Sequence, residues 1–345
     1  MEHKFKLFFG IDISKLTLDI TYFYGKREEY LQVTNDAKGI SKLVQMIQEL
    51  NVSQEDEVLV CCENTGSYMD KLAFVMKGLC ATFWVVHPVI MKGYRLDLQR
   101  TKNDKVDSKK IAEFALAHQH KAVNYHHPDQ KTKEMKELYL LRKQLVGLRQ
   151  KTLNFIASEK DKAIPGIMNT LVYQQVINFI SDLIKEVERS INLLVKSEKT
   201  ILSFYKILIS IPGIGPVTAQ HIMVVTDGFK KINDYKSFAC YTGIAPFARS
   251  SGTSIRYRPR TSKKANQELK ADMHQGAISV IRKGQLFYTY YTKMIDRGKH
   301  HLWIMNSIIN MIAKCVFNLI KKMAEFDKEI FINGKKSWQE NLVLS

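Results

Sequence analysis

The order of predicted strands and helices in the first third of the chain restricts its fold more than any other feature. Three short runs rich in apolar, β-branched and aromatic residues come first, at residues 6–11, 16–24 and 30–34, and such runs predict β-strands. The pattern then alternates, with helices predicted at residues 36–50, 67–79, from Pro88 and at 107–118, and strands at 57–62 and 82–86. The order β-β-β-α-β-α-β-α predicts an α/β domain over residues 1–125.

This order suits a ribonuclease H-like fold. It suits a Rossmann fold less well, because a Rossmann domain carries a glycine-rich turn directly after its first strand, and no such turn follows residues 6–11. The chain has 345 residues, a length typical of about two domains. We therefore expect the chain to continue into further structure after residue 125.

A heptad pattern dominates the next segment, residues 126–205. Apolar residues at spacings of three and four predict a long helix with one seam: Leu138, Leu141, Leu145, Leu148, Thr152 and Phe155. After a break at Pro165-Gly166, a second helix carries the seam Val176, Ile180, Leu183, Val187, Ile191 and Leu194. The pattern predicts a helical hairpin or coiled-coil arm. Such an arm can serve dimerisation or fold against its own domain, and the sequence does not favour one over the other.

Residues 206–325 are expected to form a mainly helical domain, followed by a polar tail at 326–345. The motif Ile211-Pro-Gly-Ile-Gly-Pro-Val-Thr-Ala219 is an apolar turn between helical stretches. It resembles a helix-hairpin-helix turn, in which backbone N–H groups near Gly213 and Gly215 contact a DNA phosphate. The alternative is a tight turn that touches no ligand. An apolar helix is predicted from about Leu302 to Met323.

Positive charge is concentrated in one part of the chain. The net charge is +18, and residues 246–301 alone hold 12 basic and 3 acidic side chains, half of that excess. A basic segment after a nearly neutral domain indicates a polyanion partner, most often nucleic acid. The alternative is a solvated basic face. The candidate contact residues are Arg249, Arg256, Arg258, Arg260, Lys263 and Lys264.

Cysteine usage and hydropathy predict the compartment. Five cysteines, an odd number in a chain large enough for its own core, predict reduced thiols and a cytoplasmic protein. The absence of a CxxC motif excludes a zinc finger or ribbon. No apolar run approaches the ~20 residues of a membrane span, and the N-terminus has no signal pattern. We expect no membrane association.

Four acidic residues stand at predicted strand ends and at a helix start. Asp12 ends the first apolar run and Glu63 a later one, while Asp104 and Asp107 are three residues apart, on one helix face. Each position alone is typical of a cap or turn, since a helix N-terminus favours acids. Together they supply four hard oxygen ligands, enough for one or two Mg²⁺ ions. Such ions polarise phosphodiesters.

A pair of serines followed by glycine, Ser250-Ser251-Gly252, lies in the basic segment. A mobile loop here would present a hydroxyl group, but serine is a weak nucleophile unless a base or a metal activates it. By itself the motif is more typical of a plain turn. The histidine pairs at 126–127 and 300–301 lack further ligand spacing, and Cys61-Cys62 is predicted to be core.

Six motifs occur together, in a fixed order and at suitable distances. They are Gly10-Ile-Asp-Ile-Ser-Lys15, Glu63-Asn-Thr-Gly-Ser-Tyr68, Lys102-Asn-Asp-Lys-Val-Asp-Ser108, Ile211-Pro-Gly-Ile-Gly-Pro216, Gly243-Ile-Ala-Pro246 and Ser251-Gly252. The combination resembles the DEDD-type transposases of the insertion sequence 110/1111 family, related to the Piv DNA invertase. The resemblance covers about residues 6–323.

The resemblance implies a RuvC-like ribonuclease H domain, a coiled-coil arm and a helical transposase domain with a catalytic serine. It implies that Asp12, Glu63, Asp104 and Asp107 bind Mg²⁺ or Mn²⁺, and that Ser251 is the nucleophile, with Ser250 as second choice. The implied activity is recombination of an insertion element through a covalent phosphoserine. The implied partners are double-stranded donor and target DNA, a structured guide RNA that bridges them, and further copies in a homodimer or tetramer. Such a protein would work in a prokaryotic cytoplasm, at the nucleoid.

The chain departs from the family pattern after the serine. The family usually shows Ser-Lys-Xaa-Gly-Asn and then Leu-Arg, whereas this chain has Ser262-Lys-Lys-Ala265-Asn266 and Leu269-Lys270. The basic character is kept, but fine DNA contacts do not carry over. Two other functions stay open: a metal-dependent nuclease or junction resolvase without a covalent intermediate, and a non-enzymatic architectural protein.

Overall fold

The computed structural model describes residues 5–50, 58–79, 81–94, 103–162, 167–251, 255–261 and 265–331. The backbone forms two compact units, Met1–His127 and Pro128–Ser345. The first unit contains the predicted α/β segment. The second contains the predicted arm together with the helical segment that follows it.

The first unit is a five-stranded mixed sheet with helices. Its strands are β1 (Leu7–Ile13), β2 (Thr17–Tyr24), β3 (Arg27–Thr34), β4 (Val58–Glu63) and β5 (Thr82–Val86), in the spatial order β3-β2-β1-β4-β5. Its helices are α1 (Ala37–Glu49), α2 (Asp70–Met76), α3 (Pro88–Tyr94) and α4 (Asp104–Ala117). The first three strands are antiparallel, and β4 and β5 run parallel to β1. The α/β prediction and the order of elements are confirmed.

Local signals set the helix starts. The Asp36 side chain accepts a hydrogen bond from the Gly39 N–H and caps α1, as its position before the apolar stripe predicted. The Asn103 side chain likewise accepts from the Lys105 N–H, so α4 begins three residues earlier than predicted. The predicted helix over 67–79 is shorter in the structure, because a 3₁₀ turn at Gly66–Met69 precedes α2.

The two faces of the sheet carry separate cores. Leu7, Phe9 and Ile11 of β1 point to the cluster that includes α1 and α2. Phe8 belongs to the opposite cluster, together with Ile111 and other residues of α4. Since side chains alternate along a strand, Asp12 and Glu63 fall on the α4 face of the sheet.

The second unit is mainly helical. Its helices are α5 (Gln130–Lys160), α6 (Ile167–Ser197), α7 (Lys199–Ser210), α8 (Pro216–Thr226), α9 (Tyr235–Tyr241), α10 (Gln267–Val280), α11 (Tyr288–Asp296) and α12 (His301–Lys322). The strands β6 (Pro246–Ser251) and β7 (Ile255–Thr261) form an antiparallel pair between α9 and α10. The core of this unit is one large cluster contributed by most of its helices.

The predicted helical hairpin is present, since α5 and α6 pack together along their lengths. An ion pair joins Arg142 to Glu188 at 2.7 Å, and the rings of Phe155 and Tyr173 lie 4.6 Å apart. Arg142 lies early in α5 and Glu188 late in α6, whereas Phe155 lies late in α5 and Tyr173 early in α6. The two helices are therefore antiparallel.

The seam predicted on α5 is partly buried within the chain, since Leu138, Leu145 and Thr152 are half-buried. Leu141, Leu148 and Phe155 are exposed within the chain, while Tyr139 and Ile156 are buried. The reason is that apolar residues occupy a stripe wider than one seam, so the spacing alone does not fix which edge faces α6. On α6 the predicted seam is buried from Ile180 onward, apart from the half-buried Leu183, whereas Val176 is exposed.

Within the described residues, α12 is the one helix long and apolar enough to cross a membrane by length and composition alone. Ile304, Ile308, Ile312 and Val316 of this helix are buried in the core of the second unit. We therefore describe α12 as a core helix of this fold, in agreement with the predicted apolar helix from about Leu302 to Met323. Most of the predicted tail, from residue 332 on, lies outside the described residues.

Candidate functional site

Asp12 and Glu63 stand at the ends of neighbouring strands. In the parallel pairing of β1 with β4, Ile11 lies opposite Cys62, and each acid is the next residue. Both are on the α4 face of the sheet, and both are half-buried. The strand pairing therefore brings together two of the four predicted acids.

The other two acids occupy the first turn of α4. Asp104 and Asp107 follow the capping residue Asn103, so their carboxylates complement the positive end of the helix. The far end of the helix lies near the start of β1, where the side chain of Gln119 accepts a hydrogen bond from the Phe5 N–H. The first turn of α4 therefore lies toward the end of β1 that carries Asp12.

Gly10 allows α4 to approach the sheet. A Cβ atom at residue 10 would lie within 3.0 Å of the Ser108 carbonyl oxygen and of the Ala112 nitrogen. Only glycine permits backbone contact of this kind between a helix and a strand. Gly10, two residues before Asp12, thus allows the helix that carries Asp104 and Asp107 to pack closely on β1.

A fifth acid, Asp19, was not predicted as a site residue. It lies directly opposite Asp12 in the antiparallel pairing of β1 with β2, and its side chain is almost fully buried. Its Oδ1 atom accepts hydrogen bonds from the Tyr30 hydroxyl at 2.5 Å and the Gln32 Nε2 atom at 3.0 Å. The bond to Asp19 is the main cause that raises the pKa of Tyr30 to about 12, and the charge of Asp104 adds to it.

The signal that could have identified Asp19 is an acid in the middle of an apolar strand. Residues 17–24 read as a continuous strand, and a charged residue at such a position is buried only when it is paired or hydrogen-bonded. The position opposite Asp12 depends on the pairing register, which the strand itself does not encode.

The donor set fits a divalent cation by its chemistry. Carboxylate oxygens are the ligands that Mg²⁺ and Mn²⁺ prefer, and the four acids occupy one face and one end of the sheet. Within the described residues, however, no three His, Cys, Asp or Glu side chains lie close enough together to share one ion as they stand. Neighbouring carboxylates repel one another without a cation, so the side chains must turn toward an ion to ligate it.

The cysteines of β4 take no part in this chemistry. Cys61 and Cys62 are buried, as predicted, and burial raises the pKa of both thiols. Thiols in such surroundings are unreactive because the thiolate is disfavoured.

The predicted serine loop is a strand in the structure. Ser250 and Ser251 end β6, where they lie opposite Arg256 and Ile255 of β7. Gly252 and the rest of the connection, like Lys263 and Lys264, lie outside the described residues. Arg249 lies on β6 opposite Tyr257, and Arg256, Arg258 and Arg260 occupy alternate positions of β7. The prediction of a mobile loop at Ser250-Ser251 is therefore wrong for the two serines themselves.

Side chains of two helices hold the segment that leads into β6. The Lys270 Nζ atom of α10 donates to the Gly243 carbonyl at 2.9 Å, and the Asn306 Nδ2 atom of α12 donates to the Ile244 carbonyl at 3.1 Å. Burial lowers the pKa of Lys270. Lys270, which stands where the family usually has arginine, thus helps to fix the start of the serine-bearing hairpin.

The apolar glycine-rich motif forms a turn between α7 and α8, as predicted. Gly215 caps α8 and Pro216 is its first residue. Gly213 has a φ of +90° and packs against the backbone of Gly276 in α10, whereas a Cβ atom at Gly215 would meet open space. Gly213 therefore has a packing role, and a phosphate contact at the turn stays a prediction.

Comparison with known protein families gives matches to both units of the chain. The DEDD transposase family of IS110 matches residues 9–159, and the family described as Transposase IS116/IS110/IS902 matches residues 205–292. Together the two matches take in both the acids and the serine-bearing hairpin. The chain therefore belongs to the IS110 family of DEDD transposases, and it is a DNA recombinase or transposase.

Curated relatives extend the similarity over nearly the whole chain. The pilin gene-inverting protein of Moraxella lacunata is 26% identical over 332 residues, which cover 94% of this chain and 99% of that protein. The pilin gene-inverting protein of Moraxella bovis is 25% identical over the same shares. The insertion element IS110 uncharacterized 43.6 kDa protein of Streptomyces coelicolor is 28% identical over 115 residues, or 33% of this chain and 28% of that protein.

Proposed function

We propose that this transposase cuts and rejoins the DNA of an insertion element through a covalent phosphoserine intermediate, assisted by Mg²⁺ or Mn²⁺. The observation that carries the proposal is the meeting of Asp12 and Glu63 at the ends of β1 and β4, on the sheet face where the first turn of α4 presents Asp104 and Asp107. We assign the sheet, with its order β3-β2-β1-β4-β5, to the RuvC-like ribonuclease H fold.

The metal ligands in this proposal are Asp12, Glu63, Asp104 and Asp107. A bound divalent ion would polarise a phosphodiester and stabilise its attacking and leaving oxygens. The four carboxylates contribute negative charge that the ion neutralises, and the capped helix start fixes two of them relative to each other. Gly10 keeps α4 close enough to β1 for this arrangement.

Ser251 supplies the nucleophile in our proposal. Its Oγ atom would bond to a DNA phosphorus while the bond from that phosphorus to one strand's oxygen breaks, and the serine proton leaves with the new DNA hydroxyl group. A hydroxyl group of a second strand would then attack the phosphoserine, and the serine oxygen would regain a proton as it leaves. The number of phosphodiester bonds is conserved, so no external energy source is needed.

In this proposal the second unit binds nucleic acid. Arg249, Arg256, Arg258 and Arg260 on the β6–β7 hairpin, with Lys263 and Lys264 after it, would contact phosphates of donor and target DNA. The turn at Gly213 and Gly215 is a further candidate contact. We also propose a structured guide RNA, and sequencing RNA that co-purifies with the protein tests that partner directly.

Self-association through the arm completes the proposal. We assign residues 1–125 to metal binding, 126–205 to the arm and 206–325 to the serine-bearing helical domain, with 326–345 as a tail. The exposed stripe of Leu141 and Leu148 on α5 supports assembly into a homodimer or tetramer. Such an assembly would act at the nucleoid in a prokaryotic cytoplasm.

The decisive experiment looks for a covalent protein–DNA adduct. Purified protein is incubated with labelled donor DNA, Mg²⁺ and any co-purified RNA, and the products are separated by denaturing gel electrophoresis. We expect a slow-migrating adduct with the wild type and with Ser250→Ala, and none with Ser251→Ala. DNA binding should persist in Ser251→Ala, because the arginines and the glycine-rich turn are unchanged.

Two other results would change the assignment. An adduct that persists in Ser251→Ala but disappears in Ser250→Ala would move the nucleophile by one residue. Strand cleavage by Ser251→Ala at the wild-type rate, with no adduct from either protein, would favour a metal-dependent nuclease. Function that survives loss of the acids would instead favour an architectural protein.

A further inference from the structure

Two buried hydroxyl groups join α4 to β2. The Thr21 and Ser108 hydroxyl oxygens lie 2.8 Å apart, and their side chains are 1% and 0% exposed. Because the Ser108 hydroxyl donates to the Lys105 carbonyl at 2.9 Å, the Thr21 hydroxyl is the donor in the bond between them. Ser108 directly follows Asp107, so this bond is made next to one of the proposed metal ligands.

A second buried polar group lies on the same face of the sheet. Asp19, opposite Asp12, accepts a hydrogen bond from the Tyr30 hydroxyl. The Lys105 ammonium group lies over the Tyr30 ring at 4.9 Å from its centre. Lys105 stands between Asp104 and Asp107, so Tyr30 links the buried carboxylate of β2 to the acid-bearing turn.

Stability alone does not explain these two buried polar links, because apolar side chains at the same positions would stabilise the fold at least as well. A buried hydroxyl or carboxylate is destabilising unless each hydrogen bond is made, and a pair of small apolar residues fills the same volume without that requirement. What the polar links add is a defined geometry, since each hydrogen bond fixes a distance. The bond between Thr21 and Ser108 is made at the second turn of α4, and the Tyr30 ring contacts Lys105 in its first turn, beside the proposed metal ligands.

An exposed ion pair on the same helix offers a comparison. Lys109 lies 2.8 Å from Glu28 of β3, and the two side chains are 43% and 45% exposed. Such surface pairs contribute little to stability or geometry. Lys109 therefore serves as a matched control, one residue after Ser108.

We propose that Thr21, Ser108, Asp19 and Tyr30 are positioning residues that set the place of Asp104 and Asp107 relative to Asp12, and thereby the affinity for a divalent metal. The proposal rests on the metal site of the proposed function. Asp19 also adds negative charge beside Asp12 while its own carboxylate is held by Tyr30 and Gln32. Residues that orient metal ligands typically change metal affinity 10- to 100-fold when they are lost.

The test measures Mn²⁺ binding to the full-length protein without DNA, by the electron paramagnetic resonance signal of free Mn²⁺. Thr21→Val keeps the shape of the side chain but removes the hydroxyl donor, and we expect about a tenfold loss of affinity. Thr21→Ser restores the hydroxyl and should bind within about twofold of the wild type. Lys109→Gln should bind like the wild type. Thermal unfolding of each variant without metal checks that it is folded.

The outcomes separate this proposal from the proposed function. If the wild type binds no Mn²⁺, the metal site itself is wrong. If the wild type binds Mn²⁺ and Thr21→Val binds equally well, the metal site stands and the positioning role is overturned. Should Thr21→Val fail to fold, Tyr30→Phe removes one oxygen from a half-buried ring, and unchanged Mn²⁺ affinity in that variant overturns the proposal in the same way.

Discussion

Gly213 and Gly276 are in direct backbone contact. A Cβ atom at residue 276 would lie within 3.0 Å of the Gly213 carbonyl group, and Gly213 has a φ of +90° that other residues rarely adopt. The turn between α7 and α8 therefore packs on α10 only if both positions are glycine. A substitution at this contact therefore changes the stability of the second unit, whereas one at Gly215 can test DNA binding separately.

Gly276→Ala should destabilise the second unit, because the added methyl group meets backbone that cannot move aside. Overpacking of this kind typically costs about 1–3 kcal/mol, and a lower midpoint of thermal unfolding is the measurement. Gly215→Ala is the matched comparison, since its Cβ atom meets open space. Gly215→Ala should lower the free energy of unfolding by less than about 1 kcal/mol.

DNA affinity of the same two variants tests the phosphate contact. If the turn binds DNA at Gly215, that variant loses affinity while it keeps its stability. A wild-type unfolding midpoint for Gly276→Ala would contradict the packing argument.

The sequence predicted the first unit well because its signals are local. Short β-branched runs, the Asp36 cap and the start of a helix at Pro88 each act within a few residues. Asp12 and Glu63 were predictable as neighbours once their strands were taken to be adjacent. Asp19 was not, because its importance depends on the register between β1 and β2, which is a property of two strands together.

Three features of the second unit were beyond prediction for related reasons. The strand β7 alternates apolar residues with arginine from Ile255 to Arg258, but Pro259 interrupts the run, and a proline within such a run argues against a strand. On α5, Leu141 and Leu148 belong to an apolar stripe wider than the face that packs on α6. The contact between Gly213 and Gly276 joins residues far apart in the chain and leaves no local pattern.

Loss of one acid should abolish metal binding and recombination without unfolding the protein. Asp12→Asn keeps the size of the side chain but removes the charge that attracts Mg²⁺ or Mn²⁺. Glu49→Gln, on the exposed side of α1, removes the same charge elsewhere and should behave as the wild type. Calorimetric titration with Mn²⁺ and a recombination assay measure both effects. Recombination by Asp12→Asn at the wild-type rate would refute the metal site.

The arginines of β7 should control the salt dependence of DNA binding. Each phosphate contact contributes about 0.9 to the slope of log affinity against log salt concentration. Replacing Arg256, Arg258 and Arg260 with glutamine should therefore lower that slope by up to about 3. Lys38→Gln with Lys42→Gln, on exposed positions of α1, provides a control for charge lost elsewhere. An unchanged slope would show that β7 does not contact phosphates.

The N-cap of α1 should make stability depend on pH in acid. The hydrogen bond from the Gly39 N–H is the main cause that lowers the pKa of Asp36. A lowered folded-state pKa contributes stability above the ordinary value of about 3.9, and that contribution is lost as the pH falls through the folded pKa. Asp36→Ala should therefore unfold at a lower temperature than the wild type at pH 7, and the difference should shrink toward pH 3. A difference independent of pH would contradict this account.

Charges on the exposed stripe of the arm should dissociate the assembly. Leu141 and Leu148 are 44% and 51% exposed within the chain and stand two helical turns apart on α5. Since they are exposed, Leu141→Glu with Leu148→Glu should leave the fold of the protomer intact. If a second copy covers the stripe, the same charges would be buried without a partner, which strongly disfavours association. We expect the mass from light scattering to fall to that of a smaller assembly or a monomer. Leu193→Glu, at an exposed position of α6 outside this stripe, should leave the mass unchanged, and an unchanged mass for the double variant would show that copies associate elsewhere or not at all.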